Sequence, residues 1–230
     1  MPTPDGSGPG SPTPAAASGS RASGGVTSGP AASRPRLSPA AVVGIALDVI
    51  DRDGLAGLTL TAVADRAGVA IPSLYKHVRN LGELNQLVTL RTIEELTVRV
   101  TAAVLGRSGD DAIRSLLRAC HAYATEYPHR YAATVPAPAP YSRQSGAADQ
   151  LLEVFLSVLR GYQLEGPNAI HAARVLRSAA HGFFTLQASG GFGRPENLDV
   201  SYDLLIDVII SGLPLAKTIP LSRNSTIVER

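Results

Sequence analysis

There is no tryptophan in these 230 residues, and aromatic side chains make up only 5%. Strands are marked by clusters of aromatic and β-branched residues, so their scarcity points to helices packed on Leu, Val, Ile and Ala. A single cysteine, Cys120, rules out an internal disulfide and a cysteine-based zinc site, and it suits a reducing compartment. No stretch reaches the run of about 18 apolar residues that a membrane helix needs. The first residues lack the basic-then-apolar order of a secretion signal, so a soluble cytoplasmic protein is the expectation. Excess charge is also missing. The net charge is only +2, and Arg21, Arg34 and Arg36 set against Asp5 account for it. Binding to nucleic acid would therefore have to rest on where individual residues sit rather than on overall basicity.

Hydrophobic residues make up 44% of the chain, enough for one or two compact cores. Residues 1–36 are Gly, Ser, Pro, Ala and Thr with almost nothing to bury, a composition that cannot offset the entropy of ordering. This segment is expected to be a disordered tail: a solvated extension, or an arm touching DNA through Arg34 and Arg36. Order is expected from Ser38-Pro39, an N-cap followed by proline in the first turn. Val42, Ile45, Ala46, Val49 and Ile50 then recur at helical spacing up to Gly54. A short helix follows Thr59, closed by Gly68, and a third is expected over 71–78. Asn80 with Glu83 forms a capping-box pattern opening a long fourth helix to about 105. Further helices are expected with Asp110 as a cap and a stop near Pro128, then over 146–164, 168–189 and 199–213. An extended Pro-Ala connector lies at 135–140. The fold class is all-α.

The segment from Leu58 to Val78 carries the chemistry. Thr59 stands where an N-cap is needed, and Ala64 and Ala67 are small enough for a close helix crossing. Gly68 can take the positive φ of a tight turn. If Val69, Leu74 and Val78 point inward, then Pro72, Ser73, Tyr75, Lys76 and Arg79 face outward, with His77 at the flank. A slim helix offering hydrogen-bonding, aromatic and cationic groups suits a DNA groove. The plain alternative is an αα-hairpin with a wet polar face.

This stretch, with Leu74-Tyr75-Lys76-His77-Val78 and the polar-Leu-x-Glu-Leu start of the fourth helix, resembles the tetracycline-repressor-like (TetR) family over residues 38–87. The resemblance implies a three-helix, homeodomain-like DNA-binding domain with a helix-turn-helix, whose third helix enters the major groove. It implies that Ile71 and Ser73 face the bases, with Pro72 between them in the DNA-binding segment, and that Tyr75, Lys76 and His77 contact phosphates. Thr59 and Thr61 would contact phosphate from the second helix. Family members often carry Ser or Thr where this chain has Ala70, which cannot cap. Pro72 presets the first turn but biases Ile71 away from helical geometry.

A second resemblance lies in Arg177-Ser-Ala-Ala-His-Gly-Phe-Phe and the helix after it. It is similar to the regulatory domain of a TetR subgroup named for a Trp-His-Gly motif, with Ala180 in place of the Trp. It implies a helical-bundle domain that binds a small-molecule effector and dimerises through its last two helices. In the final helix Tyr202, Leu205, Ile206, Ile209, Ile210 and Leu213 form one apolar face, and Leu204 and Val208 form a second. One face would pack on its own domain and the other on a twin; an internal core helix is the alternative. Candidate ligand contacts are His121, Tyr123, Tyr127, Phe155, His171, Arg174, Ser178, His181 and Phe184. The expected division is a tail over 1–36, a DNA-binding domain over 37–82, a ligand-binding and dimerisation domain over 83–213, and a weakly ordered tail over 214–230.

The expected function is a ligand-responsive repressor binding a palindromic operator in double-stranded DNA as a homodimer, cytoplasmic and nucleoid-associated. The rival is a helical small-molecule-binding protein without DNA recognition. An enzyme is not expected: no phosphate loop, nucleophile elbow or paired carboxylates appear. No cofactor or metal is expected either. His121 and His129 flank Pro128 at a spacing unsuited to zinc, which leaves His171 with His181 as a weak metal-sensing alternative.

Overall fold

A computed structural model describes residues 37–134 and 145–218, and every regular element among them is helical. Helix α1 (Pro39–Asp53) starts where the sequence predicts. Ser38 is its N-cap and accepts the Ala41 N–H at 3.1 Å, and Pro39 occupies the first turn. Helix α2 (Leu60–Ala67) is capped by Thr59, which accepts the Ala62 N–H at 3.0 Å. It ends at Gly68, whose φ of 65° lets the Gly68 and Val69 N–H groups reach back to Asp65 and Ala64. Helix α3 covers only Ile71–Leu74.

That is shorter than the expected 71–78. Ala70 offers no side-chain cap, Pro72 donates no N–H, and the chain continues as tight turns in which His77 and Val78 both bond back to the Leu74 carbonyl. Helix α4 (Leu81–Val104) opens as expected, with Asn80 Oδ1 accepting the Glu83 N–H at 2.9 Å. Glu83 answers one residue earlier than a capping box would, accepting the Arg79 N–H at 2.6 Å.

Seven more elements follow: α5 (Gly109–Glu126), α6 (Pro128–Ala132), α7 (Ser145–Leu159), a 3-10 turn over Arg160–Tyr162, α8 (Gly166–Ala188), α9 (Leu198–Gly212) and a 3-10 segment over Leu213–Thr218. Three differ from expectation. Ser108, not Asp110, takes the position before α5. Asp110 lies in the first turn, where it accepts a hydrogen bond from the Tyr162 hydroxyl. Pro128, expected as a stop, is the first residue of α6; a proline ends one helix and begins the next equally well because its missing N–H is an orphan there. Helical order continues past Gly212, where Lys217 Nζ donates to Gln163 Oε1 at 3.2 Å. Residues 214–218 of the tail expected over 214–230 are thus ordered; its remainder, the expected tail at 1–36 and the Pro-Ala connector lie outside the described residues.

Two buried clusters form the interior. The first gathers Val42, Ala46, Val49 and Ile50 of α1 with Val63, Ala64, Leu74, Val78, Leu84 and Val88. The second gathers Leu96 and Val100 with the inner faces of α5, α7, α8 and α9. Helix α4, about 36 Å long at 1.5 Å per residue, supplies both. Thr92 is fully buried between its two halves and satisfies its own hydroxyl on the Val88 carbonyl at 2.9 Å. On α9, Tyr202, Ile206, Ile209 and Leu213 are buried, and the Tyr202 hydroxyl donates to the Leu117 carbonyl at 3.0 Å. The acidic residues that interrupt this helix reach α5, with Asp203 on Arg118 at 2.8 Å and Asp207 on Arg114 at 2.5 Å.

Candidate functional site

The outward face of α2 and α3 follows from what is turned inward. Leu74 and Val78 are 0% and 2% exposed and anchor the segment, while Val69 and Ile71 pack partly against the same core. Helical phase then leaves Pro72, Tyr75 and Lys76 in solvent, with Ser73 and His77 half-buried. Tyr75 is 53% exposed, a large aromatic held mostly in solvent. Lys76 makes no ion pair among the described residues, whereas the neighbouring Arg79 is drawn back to Glu83 at 3.1 Å. Thr59 and Thr61 are exposed at the start of α2. The Thr59 oxygen accepts the cap hydrogen bond, and its hydroxyl proton stays available to an acceptor. One ridge thus carries hydroxyl, phenol and ammonium donors, the equipment for contacting phosphates and base edges.

A cavity of about 400 Å³ lies in the second cluster, between α4, α5, α6, α7 and α8. Of the nine candidate ligand residues, Phe155, Arg174, Ser178, His181 and Phe184 line it. His181 Nδ1 lies 3.3 Å from the Tyr131 hydroxyl, and its Nε2 is 3.3 Å from Thr185 Oγ1. Burial, with the nearby Arg177 charge as the second cause, holds its pKa below the usual histidine value. Burial likewise pushes the Tyr131 phenol up, against the field of Arg177.

The other four candidates are placed elsewhere. His121 is a satisfied core histidine: its Nε2 lies 2.8 Å from Gln187 Oε1, and its ring stacks on Tyr202 at 4.5 Å. Tyr123 and Tyr127 turn toward a separate, open groove of about 500 Å³ together with Arg91, Glu95, Arg99 and Arg130. There the Tyr123 hydroxyl donates to Glu95 at 3.2 Å, and Arg130 lies over the Tyr127 ring at 4.6 Å. His171 is exposed and lines neither space: one residue past the lining Ile170, it is rotated about 100° outward. It therefore does not converge with His181.

Sequence reasoning missed Arg177, Tyr131, Thr134 and Cys120 on the cavity wall. Arg177 could have been found, since it stands three residues after Arg174 and four before His181, on the same helical face. Tyr131 and Thr134 belong to α6 and the turn after it, too short a helix to show periodicity. Cys120 is buried within α5, and desolvation raises its thiol pKa to about 12.

Helix α6 faces both clusters. Tyr131 and Thr134 line the cavity, while Ala133 is buried in the α1–α4 core and its carbonyl accepts from Thr89 Oγ1 at 2.9 Å. Arg130 reaches Asp51 of α1 at 2.5 Å and Glu95 of α4 at 3.2 Å. On the outer side of the bundle, α8 and α9 leave Val175, Leu186, Val200, Leu204 and Val208 between 48% and 66% exposed.

Comparison with known proteins places these features in context. The family described as "Tetracyclin repressor-like, C-terminal domain" matches residues 113–209. That description does not name the Trp-His-Gly subgroup. An HTH-type transcriptional regulator of Mycobacterium tuberculosis is 31% identical over 197 residues, 84% of this chain and 86% of that protein. The crystal structure of BioQ with its double-stranded DNA operator superposes with a TM-score of 0.60 at 20% identity, covering 78% of this chain and 99% of that one. A TetR variant from Acinetobacter baumannii in complex with minocycline superposes with a TM-score of 0.61 at 18% identity, covering 77% and 96%.

Proposed function

This chain belongs to the tetracycline-repressor-like (TetR) family of DNA-binding, helix-turn-helix transcriptional regulators, and from that premise we propose how its own residues divide the work. Tyr75 and Lys76, with His77 at the flank and Thr59 and Thr61 from α2, contact the phosphates of a palindromic operator. Ser73, with Pro72 and Ile71 before it, leads into the major groove. The observation that carries this reading is the exposed Tyr75-Lys76 pair on a turn whose back, Leu74 and Val78, is locked into the core. Ile71 packs partly against the core and Pro72 has no donor, so the Ser73 hydroxyl is the principal base contact of the three. We read the DNA-binding unit as 37–82 and the effector-binding, dimerising unit as 83–213, with Leu84, Val88 and Ala133 of the second completing the core of the first.

A second copy covers Leu204 and Val208 of α9 together with Val175 and Leu186 of α8, forming a four-helix interface. Large apolar side chains this exposed on two adjacent helices otherwise remain in water. The twofold axis sets two recognition segments about 34–36 Å apart, one turn of B-DNA, which matches a palindrome. No helix among the described residues is long and apolar enough to cross a membrane. The site of action is cytoplasmic DNA in the nucleoid.

The cavity holds an effector, and α6 transmits its arrival. A ligand that displaces Tyr131 moves a helix whose Arg130 holds α1 and α4 and whose next residue after the C-terminus, Ala133, is packed in the α1–α4 core. The resulting tilt of α4 changes the separation of the two recognition segments and releases the operator. Coupling of about 1–3 kcal/mol changes affinity roughly 5–150-fold, enough for induction. Footprinting of the DNA upstream of the protein's own gene tests the reading. A protected palindrome whose occupancy falls steeply with salt is the expected result; no protection at low salt would overturn it.

A further inference from the structure

The cavity residues fall into two chemically separate sets. Ile93, Leu96, Phe155 and Phe184 belong to an apolar wall, and Arg174 and Arg177 carry formal positive charge. No aspartate or glutamate is among the described residues lining the space. Both arginines are more than a third exposed, so their guanidiniums sit at the mouth while the apolar wall lies deeper.

Four other arginines of the bundle are neutralised. Arg99, Arg114, Arg118 and Arg130 each pair with a carboxylate at 2.5–2.8 Å. Arg174 and Arg177 make no ion pair or side-chain hydrogen bond with any described residue. They stand one turn apart on α8, where like charges repel and destabilise a helix. An anion seated between them would relieve that repulsion and be held in a planar fork of N–H donors. Ser178 lies on the same face beside them, and its hydroxyl can add a further donor.

We propose that the ligand of this cavity is an amphiphilic anion, with its apolar body among Ile93, Leu96, Phe155 and Phe184 and its head group, a carboxylate or a phosphate ester, held by Arg174 and Arg177. This rests on the reading of the cavity as the effector site. The volume of about 400 Å³ suits a small organic acid rather than a bare ion or a macromolecule. A neutral analogue would keep the apolar contacts and leave both guanidiniums uncompensated. A cationic analogue would meet them head-on.

Isothermal titration of the full-length protein with decanoate, decyl phosphate, 1-decanol and decyltrimethylammonium, each below its micellar concentration, tests the proposal. At least one of the two anions should bind once per protomer and about tenfold or more tighter than decanol, and the cation should give no binding. Which anion binds tighter identifies the head group. In the double variant R174Q/R177Q the anion should lose about tenfold or more while decanol binding stays the same, which shows that the cavity is still formed. Decanol binding as tightly as both anions, a preference for the cation, full anion affinity in the variant, or no binding of any of the four would each overturn the proposal. Operator footprinting of the unliganded protein is read separately. Loss of the footprint with anion binding intact sinks the regulator reading alone, and an intact footprint without anion preference sinks this inference alone.

Discussion

Removing Arg130 should loosen the joint between the two buried clusters. Its guanidinium donates to Asp51 of α1 through Nε at 2.7 Å and Nη2 at 2.5 Å, and Nη1 reaches Glu95 of α4 at 3.2 Å. The side chain is 15% exposed, against 33% for Asp51 and 24% for Glu95. Exposed ion pairs contribute about 0.2–1 kcal/mol, and breaking a fully buried one costs about 3–5 kcal/mol. This pair is intermediate. Glu95 keeps Arg91 at 3.0 Å as a second partner, and Asp51 can turn to water. We therefore expect Arg130→Met to cost about 2 kcal/mol, the scale of a hydrogen-bonded charge pair. At roughly 2–4 °C per kcal/mol for a chain of this size, Tm should fall by about 4–8 °C. Urea denaturation of R130M, D51N and the double variant isolates the pairwise part, which should exceed about 1 kcal/mol. Arg130→Lys keeps the charge but loses the fork, and should fall between wild type and R130M. A coupling below about 0.3 kcal/mol would refute the claim that this fork ties α6 to α1.

Three further outcomes follow from the same geometry. Lys76→Ala should weaken operator binding by a similar factor for matched and mismatched sequences and reduce the salt slope by about one, measured by fluorescence anisotropy; an unchanged slope would remove Lys76 from the phosphate contacts. The double variant L204E/V208E should sediment as a monomer with unchanged helical content and lose most operator affinity, because charge placed on an apolar twofold interface meets its own copy. Persistence of the dimer would move the interface elsewhere. Cys120, fully desolvated with its thiol pKa pushed up to about 12, should resist a disulfide reagent at neutral pH and titrate fully in guanidinium. Rapid labelling of the native protein would contradict its burial.

Much of the architecture is legible locally. Ser38, Thr59 and Asn80 cap helices through contacts no more than three residues away, and Gly68 closes α2 through its own φ. Such signals are written in adjacent residues, so a single sequence displays them. The inward set of Leu74 and Val78 was visible for the same reason, as a helical period against polar neighbours. The cavity was harder. Arg174, Ser178, His181 and Phe184 share a helical face and were found, but His171 was carried along by a spacing that fits a face about as well as it misses one. Tyr123 and Tyr127 sit on a helix that borders the cavity, yet they turn to its other side.

Sequence by itself therefore determined the helices, their caps and the donor-bearing ridge at Thr59, Tyr75 and Lys76, because each depends on bonds and periods within a few residues. Tertiary structure decided which aromatic and histidine side chains face one another across helices. It turned His121 into a core partner of Gln187 and Tyr202. It also left Arg174 and Arg177 without carboxylate partners among the described residues and joined the cavity to α1 through a five-residue helix. Those are contacts between residues tens of positions apart, set by how whole helices pack, and no local pattern encodes them.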